Sequence, residues 1–523
     1  MEDRFIFDLL LFGKVREEFV WETVHGGGKY CLVRNAVETA MRQIDAGKTA
    51  VILHSNLGNG KTVAIETLKC MASDKGYVVY SISRRGDSLY EELEQAFGRA
   101  GKKVFIIDNY PDWLDALQFF GTHVPKDTTL VLSARTASHD VLVDRATELL
   151  RSGNISEIEV DNLAPADLDW VVTYFNDYGL WGRQAAWSRS RKLDYFARVC
   201  GAQWHAILIK LFESPQIQSR FEGLFEKLRG QESHWEVIVA ILILNVIGDT
   251  PSSSTLVDLC GQAVFETGFR RDPVIRELID FSKNEIRLKS SVAGQFILQR
   301  IVDPNLVVKS LISLAKTTDN SAHASSYYFS ILKNLMRYST LQTLLPEKDR
   351  GRATLDYYES IKGLSHAKTQ PLFWLQYAIA CLVIDEFERA EKYFQTAYSF
   401  SGDRDHWDSF QIDNHFARFL LTRAIAQGDA STSMGAFRNA RKLIHNQIER
   451  ERLHYPYRVA SLYFDFYERF APELKPQNKE EIKRAAKHIC ERIQKLPPER
   501  QEQRYVRECW EKLQKIVGIT SQA

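Results

Sequence analysis

The stretch AVILHSNLGNGKT, residues 50–62, decides how the first third of the chain folds. Ala50 to Leu53 make a buried apolar strand. A loop with two glycines follows, then Lys61-Thr62 and a helical run from Val63 to Cys70. Strand, Gly-containing loop and helix, in that order, are the setting a phosphate-binding loop requires. Gly58 and Gly60 let backbone N–H groups turn inward where a side chain would block a phosphate. Lys61 is spaced to reach the β- and γ-phosphates and Thr62 to hold Mg²⁺, and the helix N-terminus adds its positive dipole end. Ser55, Asn56, Asn59 and Val63 complete the expected binding segment. The usual pattern opens on glycine, and Ser55 stands there instead, small enough for the same turn. The expected ligand is ATP or ADP with Mg²⁺.

Two further strand tips belong to the same reading. KKVFIIDNY ends an apolar run on Asp108, a carboxylate placed to hold the hydration shell of Mg²⁺ beside Thr62. The next residue is Asn109, which cannot accept a proton, so ATP hydrolysis is expected to be slow or absent. Asp112 is the nearest replacement base, or else it caps the turn at Pro111; both readings stay open. TTLVLSAR ends on Arg135, which either faces a γ-phosphate and reports its presence or caps the strand at the surface. Asp108, Arg135 and Asp112 are thus the candidate catalytic residues, and Thr62 and Asp108 the candidate metal ligands.

Up to about residue 160, β-branched runs alternate with amphipathic helices, the texture of an α/β domain with a mostly parallel sheet. Beyond that the 3.6-residue period takes over. Residues 233–305 read as three helices and a strand pair, a winged helix. Its strand is expected at Glu285–Leu288 and its third helix is DPVIRELIDFS. That helix sets Arg276 against Glu277, Asp272 and Asp280, so docking within the protein is favoured over DNA binding. From 306 to 523 helix follows helix. In WLQYAIACLVIDEFERAEKYFQTAY (374–398) the residues Ala378, Phe387, Ala390, Phe394 and Ala397 fall where a tetratricopeptide repeat needs small or aromatic packing residues. The rest of that region keeps the helix pairs and blurs the consensus.

Lys+Arg 68 against Asp+Glu 67 leaves a formal charge of +1, which gives no support to a bulk nucleic-acid coat or a polybasic membrane surface and leaves room for local patches. Seven scattered cysteines without a CxxC pair argue against a disulfide scaffold or structural zinc site and fit a reducing cytosol. The apolar run Val237 to Ile247 is too short to span a bilayer, and the N-terminus has no leader signature, so a cytoplasmic chain without membrane association is expected. His54 and His205 have no partner at metal spacing and read as packing residues.

The order of these motifs resembles the STAND ATPases, the signal-transduction ATPases with numerous domains. Arg34 of LVRNAVE matches the Arg ahead of the family's phosphate loop. FIIDNYPDW, Ser133-Ala134-Arg135 and Cys200-Gly201-Ala202-Gln203-Trp204-His205-Ala206 echo its later motifs. The resemblance implies an α/β P-loop NTPase core (26–160) after an N-terminal segment (1–25). A helical lid (161–232), a winged helix (233–305) and a TPR-like sensor array (306–523) follow. It implies that Arg34 contacts nucleotide and that Trp204 replaces a Pro that packs on adenine, whether by stacking there or by filling the core. Lys289-Ser290-Ser291 stands where many relatives carry a phosphate-contacting His. The implied function is a nucleotide switch for innate immunity or antiviral defence. Its array senses a protein ligand, and it forms a homo-oligomer on activation that engages a separate or fused effector. Two alternatives remain: an AAA+-like remodelling or DNA-associated ATPase, and a TPR scaffold with a non-catalytic nucleotide site.

Overall fold

The computed structural model describes residues 3–518 apart from 83–87, 124–126, 215–216, 219–221, 224, 227–231, 262–265, 282–284, 324, 403–408, 431, 451–454 and 502. Strand β1 (Ala50–Ser55) is buried almost throughout, and its alternation assigns two faces. Val51 and Leu53 enter one core, Ala50 and Ile52 the other. With β2 (Val78–Ile82), β3 (Lys103–Ile107), β4 (Thr128–Arg135) and β5 (Ile155–Glu159) it forms a sheet of order β2-β3-β4-β1-β5. Every pairing is parallel. Parallel neighbours need crossovers, and helices supply them. Asn35–Asp45 and Lys61–Asp74 cover one face through Val37, Met41, Ile65 and Leu68. Leu89–Gly98, Leu114–His123 and Thr136–Leu150 cover the other through Leu93, Leu117, Phe120 and Ala146. Covering both faces is what makes the central strands read as unbroken apolar runs.

β5 has the alternating sequence ISEIE, because it is an edge strand, and the apolar-run pattern does not pick it out. Its position matters. The chain leaves β1 on one side and returns from β4 to β5 on the other, so the direction of winding reverses at the tip of β1. In open α/β sheets ligands bind outside the strand ends at such a reversal.

The chain divides into two compact units, Met1–Asp303 and Pro304–Ala523. The first also holds helices Pro165–Asp177, Trp204–Phe212, Glu232–Ile247, Ser253–Cys260, Pro273–Leu278 and Ser291–Arg300. An antiparallel strand pair, β6 (Ile279–Asp280) and β7 (Arg287–Leu288), lies among them. This pair is shorter than the expected strand 285–288: Glu285 makes an isolated bridge to Ser252 instead, and 282–284 lie outside the described residues. The third helix also ends sooner than its sequence suggests, since Ile279 passes into β6. Asn245, the one polar interruption in the run Val237–Ile247, is buried for a reason. Its Nδ2 donates to the Ile286 carbonyl at 3.2 Å and its Oδ1 accepts the Leu288 amide at 2.9 Å, tying the strand pair to the helix.

The second unit is helical where described. Helices Pro371–Val383 and Phe387–Gly402 pack as a hairpin whose turn is closed by Asp385 at φ 61°. Ala378, Phe387, Ala390, Phe394 and Ala397 are all buried in it. Phe410–Gln427 with Ser433–Arg450 repeats the arrangement. Among the described residues no helix is long and apolar enough to cross a membrane.

A Cβ at Gly121 would lie 2.0 Å from the Leu149 carbonyl oxygen, whereas one at Gly153 meets nothing within 4 Å. Gly121→Ala should therefore destabilise the first unit by about 1–3 kcal/mol through overpacking. Gly153→Ala should stay within about 0.5 kcal/mol of the parent. Urea titration of both variants checks the pair, and equal midpoints would contradict this packing.

Candidate functional site

The turn between β1 and helix Lys61–Asp74 is held from three directions. Gly58 and Gly60 both adopt φ of 79°, the left-handed region that glycine enters without strain. Between them Asn59 is 1% exposed and commits every polar group of its side chain. Its Nδ2 donates to Asp161 Oδ1 at 2.7 Å, and its Oδ1 accepts the His205 amide at 2.9 Å. Its main-chain carbonyl accepts Arg34 Nη1 at 2.6 Å.

Asp161 stands just past the end of β5, 1% exposed, and takes up Asn56 as well: the amide at 2.7 Å and Nδ2 at 2.5 Å. Arg34 passes behind the loop, with Nη2 donating to the Asn162 carbonyl at 3.1 Å. Burial holds its guanidinium below the ordinary value, with Asp167 and Asp161 opposing. Its Nε has no partner among the described residues. Arg34 thus acts here as a brace on the loop. Asp167 holds the preceding segment in place, accepting the Asn35 amide at 3.1 Å and the Ala164 amide at 3.0 Å.

On the outer side of the loop sit two helices from further along the chain. A Cβ at Gly58 would meet Val292 at 2.3 Å and the His205 ring at 2.9 Å, and one at Gly60 would meet Trp204 at 3.6 Å. Trp204 therefore packs on the loop itself. His205 joins the two covering helices, its Nε2 lying 2.8 Å from Gln295 Oε1. Burial lowers its basicity, so the ring is neutral near pH 7.

The three strand tips converge. Ser55 pairs with Arg135 in the β1–β4 register, and Ser133 Oγ donates to Asp108 Oδ1 across β4 and β3. Ser55 is buried, whereas Thr62 and Asp108 are exposed and Val63 is half-buried in the first helical turn. Lys61 is pushed below the ordinary lysine value by burial; Asp108 opposes, Arg135 adds to the shift and Asp161 opposes. Its ammonium has no hydrogen-bond or ion-pair partner among the described residues. Arg135 is likewise lowered by burial. It turns to the end of another helix: Nη1 donates to the Val246 carbonyl at 3.0 Å, and the guanidinium lies 2.8 Å from where a Gly248 Cβ would stand. A cation at the C-terminus of helix Glu232–Ile247 meets the negative end of its dipole.

Asp112 turns to Asn109. Its Oδ2 accepts Asn109 Nδ2 at 2.5 Å and its amide donates to the Asn109 carbonyl at 3.0 Å, which stabilises the left-handed Asn109 at the start of the turn Tyr110–Trp113. His54 stacks on His139 at 4.3 Å behind the strand tips, and His139 reaches Tyr110 and Glu157. The site therefore gathers Lys61, Asp108 and Arg135 beside the loop. Two half-buried cations and one carboxylate form a set whose charge an anionic group would balance. The donors fit a polyphosphate.

Asp161, His205 and Gln295 are the residues that motif reading misses. Asp161 carries one signal, an Asp closing the strand-like run ISEIEV as Asp108 closes KVFII. His205 lies within the segment Cys200–Ala206, where it reads as a packing residue, and Gln295 carries no signal.

No family model matches the chain, and no curated protein matches it. Among solved structures it is similar to a signal transduction ATPase with numerous domains (STAND) protein with a tetratricopeptide repeat sensor from Pyrococcus horikoshii. Identity is 12%, covering 93% of this chain and 77% of that one, with a TM-score of 0.28. That likeness is too distant to bear on the site.

Asp161→Ala should loosen the loop and also remove one of the negative charges that act on Lys61. Amide exchange across 56–62 should speed up by about five- to a hundredfold, the equivalent of about 1–3 kcal/mol for unsatisfied buried donors. Unchanged exchange would show that Asn56 and Asn59 do not depend on that carboxylate.

Proposed function

We propose that the first unit is a nucleotide-dependent signalling switch of the STAND type, binding ATP or ADP with Mg²⁺ at the β1 loop. The observation that carries this reading is Arg135. One side chain stands at the strand tip within electrostatic reach of Lys61 and also holds the end of helix Glu232–Ile247. It has one guanidinium and two candidate partners, the Val246 carbonyl and a terminal phosphate. A choice between them couples the nucleotide state to the position of residues 233–305.

In this reading residues 26–160 are the nucleotide-binding domain, 161–232 the lid and 233–305 a winged helix. Residues 1–25 lead in, and 306–523 are the repeat array that senses a protein ligand. Lys61 and the loop amides hold the phosphates, Thr62 and Asp108 the Mg²⁺, and Trp204 borders the site. The bound metal supplies charge neutralisation between phosphates. Asn109 supplies no proton acceptor, so turnover is slow, with Asp112 the next carboxylate along the chain from Asp108. The strand pair is engaged internally, through Asn245 and through Lys289 Nζ donating to the Arg276 carbonyl, which favours docking over DNA. Self-assembly and an effector in a defence response complete the proposal. They require ligand and ATP both to favour the open arrangement.

Freshly purified protein, denatured and chromatographed, should release ADP, and Lys61→Ala should release none. No nucleotide and no affinity for ADP or ATP would end the reading. Gly248→Ala should force the Arg135 guanidinium off the helix end and strain the turn at Gly248, whose φ is 100°, while leaving the phosphate loop intact. It should raise the preference for ATP over ADP by about fivefold or more, the span of a typical coupling energy. Calorimetric titration measures that ratio, and an unchanged ratio would separate Arg135 from the switch.

A further inference from the structure

In the second unit, a cavity of about 350 Å³ lies between helices Ser433–Arg450, Leu462–Phe470 and Pro476–Gln494. Arg438, Arg441, Lys442, His445, His488 and Tyr463 line it. Two features distinguish it from an ordinary gap between helices.

The first is charge. Arg438 and Arg441 lean on the same carboxylate, Glu481, at 2.9 and 3.7 Å, and Lys442 has no ion pair among the described residues. Two arginines thus share one acid, and a lysine lines the same cavity without one.

The second is Tyr463. It is 1% exposed, and its hydroxyl has no hydrogen-bond partner among the described residues. A buried hydroxyl is ordinarily partnered, and one left without a partner is costly. Tyr463 lines the cavity, and its hydroxyl, closed off from solvent in this arrangement, is reached by a ligand only after a side-chain shift.

A divalent cation is the competing occupant, because His445, Glu449 and His488 bring ligand atoms within 4.8 Å of one another. The surroundings oppose it. Glu449 is paired with Arg492 at 3.3 Å, and Arg438, Arg441 and Lys442 all repel a positive ion. The same groups suit an anion with several acceptor oxygens. Two guanidinium groups, an ammonium, two imidazoles tilted at 55° and a phenol line the cavity from three helices, together with Ala485 and Ile489. A monocarboxylate offers two oxygens and one charge; a phosphate monoester offers three free oxygens and up to two charges.

We propose that this cavity binds a phosphate monoester, carried by a small metabolite or by a phosphorylated side chain of a partner protein. The site goes beyond the nucleotide reading of the first unit and does not need it.

The test uses the full chain carrying Lys61→Ala, so that the loop after β1 does not contribute. Inorganic phosphate, phosphoserine and a phosphoserine heptapeptide are titrated by calorimetry, with Zn²⁺ in parallel. At least one phosphate probe should bind. Arg441→Gln with Lys442→Gln should weaken it by roughly tenfold or more, and Tyr463→Phe, which removes one oxygen and keeps the ring packing, by several-fold. Tighter binding of the peptide than of phosphoserine assigns the group to a partner protein, and the reverse to a metabolite; either supports the site. Absence of binding by every phosphate probe overturns it. So does binding indifferent to all three substitutions, or Zn²⁺ uptake lost in His488→Gln without any phosphate binding.

Discussion

The first unit depends on Asn59. At the point where the chain turns from strand to helix, one buried amide side chain and its carbonyl make bonds to three distant segments: Arg34, Asp161 and His205. Each such bond contributes only about 1 kcal/mol net. Leaving a buried group unsatisfied costs about 1–3 kcal/mol, so the arrangement resists partial loss. The two left-handed glycines allow the turn, but they do not specify it, since glycine is equally free elsewhere. The bonds around Asn59 select one conformation from the many that Gly58 and Gly60 permit.

That constraint reaches outward to the covering helices. His205 is bonded to Asn59 through its amide and to Gln295 through its ring, while Val292 lies directly over Gly58. A change in the loop therefore acts at once on helices Trp204–Phe212 and Ser291–Arg300. Arg135 gives the same region a second tie, to the end of helix Glu232–Ile247. Lys61 and Arg135 both sit in surroundings that disfavour their charge, and burial is the first cause in each case. Two cations beside the single carboxylate of Asp108 leave a net positive charge that an anion would balance.

Much of this architecture is legible from local sequence. The buried strands announce themselves as apolar runs, and the loop by Gly58, Gly60, Lys61 and Thr62 in their strand–helix frame. The hairpin at 371–402 is visible because its small and aromatic residues keep a helical period. β5 is harder to read, since an edge strand needs only half its residues apolar. The braces of the site are harder still. Asp161 lies 102 residues from Asn59 and His205 lies 146 away, and hydrogen bonds across such separations leave no periodic trace. Position alone also does not say which way a long side chain turns. Arg135 is at the expected strand tip but points to a helix end, and Arg34 is spent on main-chain carbonyls behind the loop.

The central claim is that the loop after β1 takes a nucleotide and that its occupancy is felt at the helix end held by Arg135. Hydrogen exchange on the full chain, with and without Mg²⁺ and each of ADP and ATP, tests it most directly. The account predicts slowed exchange across 56–62 with either nucleotide, and a difference between ADP and ATP in peptides covering 244–248 and 290–296. Identical exchange in all these peptides with and without nucleotide would contradict it.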